Sequence, residues 1–543
     1  MSRRAVILAL AASTVAWPPA HAAAQDTDVA AAGKPTAATS PGWAATDEVF
    51  YQIFVRSFRD SDGDRIGDLP GIEHALPYLK RLGVTSLLLT PICPSPFYHN
   101  YFCTSFDAVD PAYGGERAWR SLVRAVHARG LKIYLDVEDQ YVAQGHPWWT
   151  QSQGNPASPY SRYLIYHGPG NTQPATAVFD ITGAPAYDGR PVGITTVNLR
   201  DPAVEAYFQR IFLAFVDPNG DGRFTDGVDG FRLDHMMDDL DGKPELKNLF
   251  ADFWAPIFAR VRAANPRVRF IAEQGDWGDG EDWLTRGGAD LVFAFPLQRA
   301  IATLNRDSIA AAIAATLART PAGKGQIVFV ENHDVERFAS RVAGDARQER
   351  IGAALDLLLQ GTPLIYYGQE IGMKGKQASN WGWGWNDIPV REAFRWTAHE
   401  QDPGSAIWYR GSGAWWTGRF NRDGDGISVA QEQNDPASLL SFYRRLIALR
   451  RARPELRDGD ERVLPTDRPD VLAVLRSTPT RASLLLVNLS DQPRTVTLEA
   501  RELPPSLTGW ALSDLLSGKP VASAGKRVMV ALEPYGVKLV SRR

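Results

Sequence analysis

Two cysteines in 543 residues, Cys93 and Cys103, leave no room for a disulfide-stapled scaffold or a thiolate metal cluster. Basic charge is also in short supply. Lys and Arg number 59 against 62 Asp and Glu, a net charge of -3. A surface without cationic excess argues against nucleic acid or an anionic membrane as the principal partner. The one notable apolar run, AVILALAASTVAW near the N-terminus, falls short of the ~18 residues that span a bilayer. No Gly-rich dinucleotide fingerprint follows the first apolar strand, which removes the main support for a doubly wound open sheet and for a nucleotide cofactor.

What is present at the N-terminus is a secretory pattern. Arg3 and Arg4 precede the short apolar run, and Ala20-His21-Ala22 supplies an A-x-A cleavage site, so residues 1–22 read as a signal peptide. The mature chain is then expected in the periplasm or outside the cell, with no membrane attachment. Residues 23–44, rich in Ala, Thr and Pro, read as a flexible linker. In an oxidising compartment Cys93 and Cys103 become a candidate disulfide, with two buried free thiols as the alternative.

From residue 45 to 454 short apolar strands alternate with amphipathic helices. The strands are 49–55, 86–91, 132–137, 230–234, 270–274, 291–296, 327–334 and 363–370, with helices at 72–83, around 245–264 and at 438–454. Eight such units predict an α/β fold, a (β/α)8 TIM barrel. A Gly-, Pro- and Tyr-rich stretch, about 138–200, interrupts the alternation after strand three and reads as an inserted subdomain. Residues 455–543 change to short β runs with turn signals, the texture of a C-terminal all-β sandwich.

Active sites of such barrels lie at the carboxyl ends of the strands. Read there, the sequence offers Asp136, Arg232, Asp234, Glu273, His333 and Asp334. Gathering four acids costs free energy, because each raises its neighbours' pKa. That same effect keeps a general acid protonated near neutral pH. A carboxylate and a carboxylic acid on adjacent strands are what glycoside cleavage with retention requires.

These motifs, in order, resemble the α-amylase family, glycoside hydrolase family 13, over nearly the whole mature length. GVDGFRLD (227–234) is similar to the family's nucleophile strand, FIAEQ (270–274) to its acid/base strand and FVENHD (329–334) to its seventh-strand motif. The resemblance implies Asp234 as nucleophile, oriented by Arg232, Glu273 as proton donor, and His333 with Asp334 gripping sugar hydroxyls. Tyr101, in YHNYF, aligns with the family's stacking tyrosine. It further implies a retaining hydrolase of α-1,4-glucosidic bonds in starch-type glucans. The alternatives are a transglycosylase, a sucrose- or α-1,6-acting member, or a glucan-binding protein without catalysis.

Several positions depart from the family. Strand three normally runs D-V-V-x-N-H and here reads DVEDQY (136–141). Gln140 replaces a calcium-binding Asn, and Tyr141 replaces a substrate-binding His. Thr196 stands where another calcium-binding Asp is usual, so the family's central calcium site is not expected in its usual form. His235 follows the nucleophile in place of a small or branched apolar residue, and Met237-Asp238 replace a Lys-His pair. Phe102 stands where the exo-acting branch carries an Asp, which points to an open, endo-type cleft.

Calcium is expected elsewhere. Asp60, Asp62, Asp64, the Ile66 carbonyl and Asp68 have the oxygen-rich spacing that Ca²⁺ takes in a tight loop. Asp217, Asn219 and Asp221 form a second, less complete set. No organic cofactor is expected, and the oligomeric state is left open by the sequence.

Overall fold

A computed structural model of the chain describes residues 47–542 apart from 383, 412, 509, 525 and 526. The secretory signal and linker assigned to residues 1–44 therefore lie outside the described residues. Eight parallel strands close into a barrel: Phe50–Ile53, Ser86–Leu89, Lys132–Val137, Gly230–Met236, Arg269–Gln274, Leu291–Phe293, Gly325–Val328 and Thr362–Tyr366. Each pairs with its chain neighbours, and the first closes on the eighth through Phe50 opposite Leu364. Among the described residues no helix is long and apolar enough to cross a membrane.

The period-two alternation of a strand decides what fills the barrel. Phe50, Leu88, Tyr134, Ile271, Leu291, Phe293, Ile327 and Leu364 form one buried cluster drawn from seven strands. Tyr134 and Ile271 lie two residues before Asp136 and Glu273, so these acids share the inward face one layer higher. Arg232 belongs to the same interior, its guanidinium 5.8 Å from the Phe293 ring centroid. Gly230 makes this crowding possible: a Cβ there would stand 2.5 Å from the Tyr134 ring and 2.3 Å from the Arg269 carbonyl oxygen.

The stretch after strand three holds a three-stranded antiparallel sheet of Tyr141–Ala143, Pro191–Thr196 and Gly183–Pro185. The region beyond the barrel, from Asp460 to Arg542, is an antiparallel eight-stranded array with its own core around Leu484, Val496 and Val530. Arg476 ties it to the barrel by donating to the Leu358 carbonyl at 2.8 Å.

Strands one, six and eight are shorter than expected, ending at Ile53, Phe293 and Tyr366, and two elements differ more. The helix expected around 245–264 is a π-helical turn, Phe250–Trp254, running into an α-helix, Ala255–Ala264. Residues 245–248 are irregular, with Asn248 in the left-handed region at φ 60° just before the helical residues begin. Strand seven ends at Val328 rather than at Asp334. Asn332 Oδ1 accepts from the backbone N–H groups of Asp334 and Val335, a local turn that replaces the sheet ladder.

Candidate active site

Strands three, four and five bring the first group of predicted residues together. Asp136 and Arg232 are direct neighbours across the ladder. Arg232 Nη1 donates to Asp136 Oδ1 at 2.9 Å and also to Asp234 Oδ1, while Nη2 lies 2.9 Å from Glu273 Oε2. One buried guanidinium thus faces three carboxylates, the pairing that a charge removed from water requires.

The register between strands four and five slips where the chemistry sits. Ala272 pairs with Leu233 but Gln274 pairs with Met236, so Asp234 and His235 together oppose Glu273. Such a bulge re-aims side chains, and its strain falls on His235, held at φ 44°. In return the His235 N–H donates to Glu273 Oε2 at 3.0 Å.

The loop after strand two supplies Tyr101. The Cys93–Cys103 disulfide forms across Cα atoms 5.8 Å apart and closes the loop that carries it. Tyr101 donates its hydroxyl to Asp136 Oδ2 at 2.8 Å and lies 2.6 Å from His333 Nε2, with the two rings stacked at 10°. Gln52, on strand one, meets the other imidazole nitrogen at 3.0 Å. Asp334 sits beside this pair, its Oδ2 3.0 Å from His333 Nε2.

Electrostatics divide the carboxyls into two kinds. Burial pushes Glu273 up to about 7; the charges of Asp234 and Asp334 act in the same sense and Arg232 acts against it. Burial also opposes ionisation of Asp234, but the Arg232 guanidinium and hydrogen bonds from Glu138 and Arg232 outweigh it and hold this carboxyl below its ordinary range. His333 is driven down to about 4 by burial, so its imidazole is neutral at pH 7. His235 moves the other way: despite burial, its contact with Asp241 and the charges of Asp234 and Glu273 favour the imidazolium. The site therefore pairs an anionic carboxylate with a carboxylic acid, which is equipment for nucleophilic attack and proton donation.

Tyr141 reaches this region through Asp241, to which its hydroxyl donates at 2.7 Å. Asp241 also accepts from Lys243 Nζ at 2.8 Å and lies 3.6 Å from His235 Nε2. The substituted calcium positions are spent on hydrogen bonds. Gln140 Nε2 donates to the Asp234 carbonyl at 2.7 Å, and Thr196 Oγ1 to the Thr176 carbonyl at 2.6 Å.

Of the five ligands expected in the acidic loop, Asp60, Asp62 and Asp68 bring carboxylate oxygens within 4.8 Å of one another, a donor set that fits a hard cation. Asp64 stands outside that group, its Oδ1 accepting the N–H of Ile66 at 2.7 Å. Asp217 and Asp221 do not join such a group among the described residues. The Asn219 amide instead donates to Asp221 and Asp226, and Asp217 caps the N–H of Gly222.

Arg391 and Glu138 also stand at the site, and neither is among the residues to which the sequence points. Arg391 comes from the turn Ile388–Arg391, buried, and donates to Asp334 Oδ1, the His333 carbonyl and the Tyr98 hydroxyl. Glu138, buried directly after strand three, hydrogen-bonds the Asp234 carboxylate. Its replacement of the family's valine was the available signal. The tryptophans near strand eight pack on each other: Trp415 lies 4.9 Å from Trp385 and 6.4 Å from Trp381. Trp383 lies outside the described residues.

Residues 52–459 match the alpha amylase catalytic domain, and residues 462–539 match the maltogenic amylase C-terminal domain. Alpha-amylase 3 of Dictyoglomus thermophilum is 30% identical over 433 residues, covering 77% of this chain and 80% of its own. A 4-alpha-glucanotransferase of Thermotoga maritima is 28% identical, over 72% of this chain and 84% of its own. Among solved structures, the alpha-amylase from H. orenii superposes with a TM-score of 0.74 at 26% identity, covering 91% of this chain and 99% of that one. With its closed barrel, its C-terminal antiparallel sheet and these matches, the chain belongs to the α-amylase family, enzymes that act on glycosidic bonds.

Proposed function

We propose that this enzyme hydrolyses α-1,4-glucosidic bonds of starch-type oligo- and polysaccharides with retention of configuration. Asp234 attacks the anomeric carbon and forms a glycosyl ester, while Glu273 protonates the departing glycosidic oxygen. Glu273 then takes a proton from the water that cleaves the ester, returning both groups to their starting states. Asp334, His333, Tyr101, Asp136 and Arg232 hold the sugar and the nucleophile. One observation carries this reading: a depressed carboxylate and a carboxylic acid near neutrality share the Arg232 guanidinium.

The Asp60 loop would hold Ca²⁺ in a structural role, remote from the reaction steps. Export to the periplasm or beyond, after cleavage at residue 22, remains part of the same proposal. Product analysis with maltoheptaose, pullulan, sucrose and cyclodextrin tests the substrate assignment. Maltoheptaose should give shorter maltooligosaccharides of initial α configuration. Longer products would assign transfer to sugar instead of water, and cleavage of sucrose or of only the α-1,6 bonds of pullulan would move the enzyme elsewhere in the family.

A further inference from the structure

Glu138 is a carboxyl in a place where a second negative charge is least affordable. It is 2% exposed, it follows the last residue of strand three, and it meets the Asp234 side chain. Its position is fixed from behind: Glu138 Oε1 accepts the backbone N–H of Gln140 at 2.5 Å. Gln140 in turn donates through Nε2 to the Asp234 carbonyl at 2.7 Å. Glu138 and Gln140 are buried and Asp234 is partly exposed, and Glu138 is oriented by the same residue that steadies the Asp234 backbone.

Two carboxyl groups in hydrogen-bond contact share one proton, because like charges that close repel and ionising both is unfavourable. The charged neighbours decide which of them keeps it. Asp234 faces Arg232 on its own strand, whose guanidinium it accepts, and His235, with Asp136 and Glu273 on the flanking strands. Glu138 faces Asp139, Tyr141 and Asp234. All the cationic support stands on the Asp234 side. We propose that Glu138 is a positioning residue that stays neutral and donates its carboxylic O–H to Asp234, fixing the rotamer and the anionic state of the nucleophile.

The arrangement has a consequence for the reaction proposed above, on which this inference rests. When the glycosyl ester is cleaved, negative charge returns to the Asp234 carboxylate. A donor already aimed at that group stabilises it without reorganisation. Glu138 transfers no proton and touches no substrate in this scheme.

Three versions of position 138 test it: wild type, Glu138→Gln and Glu138→Val. Glutamine keeps an N–H donor of similar shape, whereas valine, the residue usual in the family, keeps none. Expected for Glu138→Val is a fall in kcat of roughly ten- to a hundredfold, the scale of one hydrogen bond to a charged group. KM should stay nearly constant and the acid limb of the pH profile should move to higher pH. Glu138→Gln should restore kcat to within a few-fold and leave that limb in place. A valine enzyme with the wild-type acid limb, or a glutamine enzyme as impaired as the valine one, overturns the proposal.

Infrared difference spectra at pH 7 supply a readout independent of turnover. Wild type minus Glu138→Gln should show the C=O stretch of a protonated carboxyl, and a carboxylate band in its place overturns the assignment. That measurement stands even if none of the α-glucans is cleaved, so failure of the substrate reading and failure of this inference remain distinguishable.

Discussion

Arg391 Nη2 donates to Asp334 Oδ1 at 2.9 Å although 57 positions separate the two residues. The same side chain fixes the carbonyl of His333 and the hydroxyl of Tyr98, so one buried cation positions the whole turn beyond strand seven. Arg391→Ala should therefore cost about 2–3 kcal/mol of transition-state stabilisation, roughly 30- to 150-fold in kcat/KM. Arg391→Lys should recover only part of it, since an ammonium lacks the planar fork that reaches three acceptors. Steady-state kinetics on maltoheptaose check both, and a wild-type kcat/KM in Arg391→Ala would contradict the role.

The pH profile follows from the two carboxyls. Glu273, raised to about 7, must be protonated for the first step, so kcat/KM should fall as pH rises through about 7. Asp234, held below its ordinary range, must be ionised, so the acid limb should lie below the usual carboxylate value of about 4. Glu273→Gln should abolish turnover of natural glucans while retaining their binding, which calorimetry with the variant measures. A profile without an alkaline limb near neutrality would remove Glu273 from the acid role.

How much of this was legible in the sequence depended on periodicity. The barrel strands are short apolar runs, and Asp136, Arg232, Asp234 and Glu273 lie at the ends of strands three, four and five, with His333 and Asp334 in the turn beyond strand seven, so strands and acids can be placed together. Arg391 follows no such period. It reaches the site from a short turn, and only the packing of that turn against Tyr98 and Phe54 brings it there. The strand-seven boundary was overextended for a related reason: Val330 is apolar, but the Asn332 turn had already left the sheet. The bulge at Asp234 and His235 was equally hidden, because register is a relation between two strands rather than a property of either.

The Cys93–Cys103 bridge closes a short loop, for which chain-entropy arguments give about 2–3 kcal/mol of stabilisation. Reduction should lower the melting temperature and also depress activity, since Tyr101 sits inside the loop and contacts both Asp136 and His333. Thermal melts and rates with and without reductant test this. An unchanged melt would mean that the bridge adds nothing to the barrel.

The acidic loop gives a metal prediction with a built-in control. Calcium should raise the melting temperature, chelator should lower it, and Asp60→Asn should abolish the difference, because Asp60 belongs to the converging set. Asp217→Asn should leave the calcium response intact. Equal responses from the two variants would place the ion elsewhere.

In the proposed reaction Asp234 forms a covalent bond to the sugar. Mass spectrometry after incubation with 5-fluoro-α-glucosyl fluoride tests it directly, because the fluorine slows breakdown of a glycosyl ester and lets it accumulate. One adduct per chain is expected, on the peptide that carries Asp234, and none in Asp234→Asn. An adduct on any other carboxylate, or release of β-configured product with no adduct, would contradict it.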